Sequence, residues 1–156
     1  MTAGRFLPAS AALWVGLRIR PGVQLASDNV VVDASPDALL EHFRNRMSSG
    51  PDVLAAEPTR LVRRFRGRAG QFRYETVELV TFTSTGIGFE HLAGPFAQCR
   101  ETFLLEPLDV GGTRVTHAGD YVLRGGLWTW PLARTAVKRA FERHVHEHLV
   151  ALRDEV

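Results

Sequence analysis

The sequence predicts an α+β domain, a curved antiparallel sheet of about six to seven strands wrapped around a long C-terminal helix. Three features point there: an early strand running into a capped helix, a middle stretch of alternating strand patterns with no long helix, and a terminal apolar stripe at helical spacing. The chain has 156 residues, near the usual size of one domain, and can bury a core without disulfides or a structural metal.

Residues 1–22 read as an N-terminal extension and 23–156 as the folded domain. Phe6 to Leu17 is an apolar run of twelve residues flanked by arginines, against the roughly 20 needed to span a bilayer as a helix. Pro21-Gly22 marks the turn into the domain. Val23 to Asp33 is predicted as a strand ending in a β-branched run. Ser35-Pro36-Asp37 supplies an N-cap with proline just inside a helix, Leu39, Leu40, Phe43 and Met47 recur at helical spacing, and Ser48-Ser49-Gly50-Pro51 stops it. Asp52 to Ala56 allows a second short turn of helix.

Strand patterns follow at Thr59–Arg66, Phe72–Thr83, Gly86–Leu92, Cys99–Glu106 and Thr113–Leu123. Ser84-Thr85-Gly86 and Asp109-Val110-Gly111-Gly112 are tight connections that favour antiparallel pairing. From about Pro131 to about Arg153, Leu132, Ala136, Val137, Ala140, Phe141, Val145, Leu149 and Leu152 form an apolar stripe that must lie on the sheet.

In this order the chain resembles the START-like (SRPBCC) helix-grip superfamily, especially its polyketide cyclase/dehydrase branch. The resemblance spans Gln24 to Glu155. It rests on NVVVDASPDALLEHF (29–43), CRETFLLEPLDVGGTRVTHAGDYVL (99–123) and the terminal WPLARTAVKRAFERHVHEHLVALRDEV. It implies a cavity between the terminal helix and the sheet that takes lipids, polyketides or other apolar molecules, on a scaffold that hosts carriers, sensors, cyclases and partner-binding modules.

Strand period two places Glu101 on the inner face with Phe103 and Leu105, His117 and Tyr121 with Val115, and His91 with Ile87 and Phe89. On the last helix, Phe141, Val145 and Leu149 share a face with His144 and His148, while His146 points to solvent. Glu101, His117 and His148 are therefore candidate acid–base residues, and Phe89, His91, Phe103, Tyr121, Phe141, His144 and Val145 candidate ligand contacts. The competing reading is that these histidines hydrogen-bond to backbone or to Glu101 and fill core volume. Binding of a small hydrophobic molecule is the first functional expectation, a cyclase or dehydratase the second. The third is a partner-binding module or homodimer using an apolar patch at the N-terminal extension or around Leu127-Trp128-Thr129-Trp130, although the first expectation for these tryptophans is a lid that caps the cavity.

Other chemistries fit less well. His144 to His148 matches H-x-x-E-H, but Glu147 falls about a quarter-turn from the two histidines, so no metal and no cofactor are expected. Arg60, Arg63, Arg64, Arg66, Arg68 and Arg73 form a basic run that strand alternation splits between two faces, which argues against nucleic acid. Arg63, if inward beside Leu61 and Phe65, would anchor a ligand carboxylate or a cavity glutamate. Phosphate-loop and nucleophile-elbow motifs are absent. A lone cysteine, Cys99, suits a reducing cytoplasm, and eighteen arginines against one lysine suggest a GC-rich bacterial source. No stable membrane insertion is expected.

Overall fold

A computed structural model describes residues 22–69, 72–125 and 129–156. Its strands are β1 (Val23–Gln24), β2 (Asp28–Val32), β3 (Val53–Glu57), β4 (Arg60–Ala69), β5 (Phe72–Thr83), β6 (Gly86–Ala93), β7 (Phe96–Pro107) and β8 (Thr113–Leu123). The helices are α1 (Pro36–Met47), α2 (Thr129–Leu132) and α3 (Lys138–Glu155), with a π-helical turn at Ala133–Val137 joining the last two. All strands pair antiparallel in the order β1-β8-β7-β6-β5-β4-β3, and β2 also pairs with β8. The expected architecture is present. No helix among the described residues is long and apolar enough to cross a membrane.

Several elements differ from expectation. The first strand breaks at Leu25–Ser27, so β1 and β2 pair with opposite ends of β8. Residues 53–57 are a strand rather than a helical turn, because the Pro58-Thr59 connection returns the chain along β4 and pairs Ala56 with Leu61 and Glu57 with Arg60. These two differences raise the strand count to eight. The terminal helix starts at Thr129, and its wide π turn shifts the phase of the stripe: Ala133 is buried, while Leu132 and Ala136 are exposed. Ala140 is exposed as well. The N-terminal extension and the Leu127-Trp128 pair lie outside the described residues.

Ser35 caps α1, its hydroxyl accepting from the Ala38 amide at 3.3 Å. The other end is held by Arg63, whose guanidinium donates to the carbonyls of Arg46, Met47 and Ser49 at 3.2, 2.5 and 3.1 Å. Arg63 is thus occupied by the orphan carbonyls of a helix C-terminus and not by a cavity glutamate or a ligand carboxylate.

Two apolar clusters form. The larger joins Leu39 and Leu40 of α1, Leu61, Val80, Ile87, Leu105 and Val115 of the sheet, and Val145, Leu149 and Leu152 of α3. The smaller gathers Val23, Leu25, Cys99, Tyr121 and Ala133, and Phe141 packs against both. Helix α3 lies against β2. On the concave face of β4 to β7, Phe65, Glu78, Phe89, Glu101 and Phe103 therefore keep partial exposure, in contrast to the buried Leu61, Val80 and Leu105. The solvent-accessible part of the concave face forms a shallow hollow lined by these side chains.

Replacing Arg63 by methionine keeps its aliphatic bulk but frees three carbonyls. The substitution is expected to lower stability by about 1–2 kcal/mol, read as a lower urea midpoint at constant slope.

Candidate functional site

The period of two along neighbouring strands lays a polar band across the concave face. On β5, Tyr74, Thr76 and Glu78 share a face with Val80 and Phe82; on β7, Glu101 lies between Cys99 and Phe103; on β8, His117 lies between Val115 and Gly119. Antiparallel register brings Glu78 opposite His91, Glu101 opposite Gly119 and Phe103 opposite His117. The large apolar cluster lies on one side of this band and the small one on the other.

The centre of the band is a direct contact, His117 Nε2 to Glu101 Oε2 at 2.9 Å. His117 is fully buried and Phe103 flanks its ring at 4.9 Å between centroids. Its other ring nitrogen, Nδ1, is buried without a hydrogen-bond partner among the described residues. Gly119 makes room for the glutamate, since a Cβ there would come within 2.7 Å of the Arg100 carbonyl oxygen and 3.1 Å of Glu101 Cγ. The Cys99 thiol lies 3.9 Å from the other carboxylate oxygen, and burial followed by the Glu101 charge pushes its pKa far upward, so it is no nucleophile.

Glu78 joins the band although its significance is not apparent from the sequence. Its carboxylate accepts from Thr76 Oγ1 at 2.7 Å and lies 3.9 Å from His91 Nδ1. Burial, reinforced by the charge of Glu101 and opposed by the Thr76 hydroxyl, raises its pKa to about 7. His91 is held toward its neutral form, chiefly by burial and then by Arg124, with Phe96 edge-on at 5.1 Å.

Helix α3 contributes His144 and His148, whose rings are 4.1 Å apart. Tyr74 Oη reaches His144 Nε2 at 3.3 Å and bridges sheet and helix. Gly67 permits that reach, because a Cβ there would lie 2.3 Å from the tyrosine oxygen. Burial, then the neighbouring His144 and Arg46, lower the pKa of His148, against the pull of Glu101. His148 as a whole is exposed, so its desolvation is confined to the side facing the hollow. His146 bonds Asp28 at 2.8 Å on the outside.

The other candidate contacts divide. Phe89 lies between Phe65 at 6.2 Å and Phe103 at 5.7 Å, half-exposed to the hollow. Phe141 stacks parallel on Tyr121 at 5.6 Å. Tyr121 itself is fully buried and gives its hydroxyl to the Ala133 carbonyl, which anchors the π turn. Val145 is buried in the large cluster. Among the described residues no three His, Cys, Asp or Glu side chains are grouped to hold a metal ion. Three arginines of β4 are paired on the convex face, Arg60 with Glu57, Arg64 with Glu75, and Arg66 with Asp52 and Glu75.

No protein-family profile matches the chain, and no curated protein matches it. Solved structures do. The Zhui aromatase/cyclase from Streptomyces sp. R1128 superposes with a TM-score of 0.74 at 16% identity, covering 86% of this chain and 93% of the other. A protein from Thermus thermophilus gives 0.66 at 21% identity over 86% and 95%. A START superfamily protein from Mycobacterium smegmatis gives 0.59 at 15% identity over 85% and 99%. The chain has the START-like helix-grip fold.

In this helix-grip protein a separate pocket of about 140 Å³ is bounded by Leu25, Ala26, Ser27, Asp28, His117, Glu142 and Val145. It lies between the β1–β2 connection and α3, and is smaller than the roughly 300–1,000 Å³ of ordinary ligand sites. The half-exposed concave face carries the convergent titratable groups, and it is the better candidate for ligand chemistry.

Glu78 couples that face to stability. The folded chain holds its proton more tightly than the unfolded one, whose glutamate titrates near 4.5. Ionisation therefore favours unfolding, and stability present at acid pH is lost as pH rises through about 7, by about 3 kcal/mol at most. Glu78→Gln lacks this loss. Its melting temperature relative to wild type is expected to climb by several degrees between pH 5 and pH 8; a pH-independent difference would contradict the buried-acid assignment.

Proposed function

We propose that the hollow between α3 and the concave sheet binds a small hydrophobic ligand, ring-containing or acyl, and presents the Glu78–Glu101–His117 band to an oxygen-bearing edge of it. The observation that carries this is the placement of a 2.9 Å carboxylate–imidazole contact between two aromatic-lined apolar walls on one partly solvated face. Apolar walls supply affinity and a few converging polar groups set orientation. Phe89, Phe103 and Phe141 offer the ring contacts. The similar Streptomyces structure is described as an aromatase/cyclase, which supports a ligand of that character.

The contact between Glu101 and His117 also favours an enzymatic reading, polyketide cyclase or dehydratase chemistry. A base must take a proton next to a carbonyl and an acid must protonate the departing or newly formed alkoxide oxygen. Glu101 with His117 suits the first role. Glu78, half-protonated near neutrality, suits the second, and His148 faces the same hollow from the helix.

Titration with 2-acetyl-1-naphthol, a bicyclic aromatic carrying a hydroxyl and a ketone, tests both readings. Calorimetry is expected to show saturable binding weakened about tenfold by Phe89→Ala, in line with loss of a buried aromatic contact. No uptake by wild type would overturn the binding reading. In deuterated water, wild type is expected to speed exchange of the ketone methyl hydrogens, with about a hundredfold loss in His117→Asn. Binding without accelerated exchange would leave a carrier and eliminate the acid–base role.

A further inference from the structure

The small pocket behind His117 has a second role within reach. His117 belongs both to the polar band and to the lining of the pocket, together with Ala26, Ser27, Asp28, Glu142 and Val145. On the band side Nε2 meets Glu101 at 2.9 Å, whereas Nδ1 is buried and has no hydrogen-bond partner among the described residues. In a neutral ring whose Nε2 donates to the Glu101 carboxylate, Nδ1 is a bare acceptor. Buried ring nitrogens of this kind are almost always satisfied by a donor. A space of about 140 Å³ is large enough for several waters.

The far side of that space leads to groups that exchange protons with solvent. Asp28 Oδ2 meets His146 Nδ1 at 2.8 Å, and Glu142 Oε1 meets Lys138 Nζ and the Ala26 amide, each at 2.7 Å. Both carboxylates are partly exposed. Glu101 approaches His117 from β7, Asp28 from β2 and Glu142 from α3, so the imidazole lies between the carboxylate of the concave face and two more exposed ones.

We propose that this pocket is a hydrated proton port, in which water donates to His117 Nδ1 and the imidazole carries protons between solvent and Glu101. In the inward step a proton from the pocket adds to Nδ1 while the Nε2 hydrogen passes to Glu101 Oε2. The ring stays neutral in its other tautomer and Glu101 becomes the neutral acid. Once Glu101 has given that proton to the ligand, it accepts a different proton from the ligand and passes it to Nε2 while the Nδ1 hydrogen leaves to pocket water, which restores the first tautomer. No other reactant is consumed. The port rests on the acid–base reading of Glu101 and His117, and supplies a proton route to Glu101 that stays open when a bound ligand covers the concave face.

Nuclear magnetic resonance of the full-length ¹⁵N-labelled protein tests this without any turnover. His117 Nδ1 is expected at the shift of an unprotonated ring nitrogen, and the ring Hε1 is expected to cross-relax with water. Ala26→Leu and, independently, Ser27→Leu place bulk in the pocket from exposed positions. Each is expected to abolish the water signal at Hε1 while Phe89-dependent ligand binding is kept, and to slow ketone hydrogen exchange about tenfold. A dry Hε1 in wild type, or a water signal and an exchange rate unchanged in both variants, would overturn the port. Failure of the underlying acid–base reading shows differently, as exchange of ketone hydrogens that is no faster with wild-type protein than without it.

Discussion

The hydrogen bond between Glu101 and His117 is the constraint around which the concave face is arranged. A carboxylate and an imidazole taken out of water are costly unless each satisfies the other, and removal of one partner from such a pair costs about 3–5 kcal/mol. Their neighbours fit that requirement. Gly119 clears the space for the glutamate, Phe103 closes over the imidazole, and β7 and β8 hold the two side chains at adjoining register positions. The same bond divides the interior into two apolar clusters and makes the band between them polar.

The position of α3 turns that band into a site. The helix rests on β2 at one edge of the curved sheet, and Tyr74 touches His144 at the other side by lying across Gly67. Phe65, Phe89 and Phe103 consequently meet each other edge-on without being sealed by the helix. A fully collapsed interior would have protonated or excluded Glu78. The partly solvated hollow keeps it titrating near neutrality, in the range where an acid–base group is useful.

Much of this was legible in the amino-acid sequence, because strands with one buried face carry their orientation in a two-residue period. Glu101 travels with Phe103 and Leu105, and His117 with Val115 and Tyr121, so their common face follows from counting. Glu78 was open to the same count through Tyr74, Thr76, Val80 and Phe82, but Arg73, Glu75 and Glu78 together look like the polar edge of a solvated strand. What escaped was decided by tertiary partners. The VLAAE segment has no strong β signature and becomes a strand because β4 is beside it. Arg63 faces inward as alternation requires, yet only the position of α1 shows that three backbone carbonyls claim it. The π turn is likewise invisible in an apolar stripe, since one extra residue in a turn rotates Leu132 outward and Ala133 inward without altering composition.

A double-mutant cycle on folding stability with Glu101→Gln and His117→Asn measures the coupling on which this arrangement depends. The two single losses are expected to exceed the double loss by about 1 kcal/mol or more, because each leaves the other group buried and unpaired. Additivity within about 0.5 kcal/mol would mean that the two side chains do not depend on one another, and would contradict the polar band as the organising feature of the concave face.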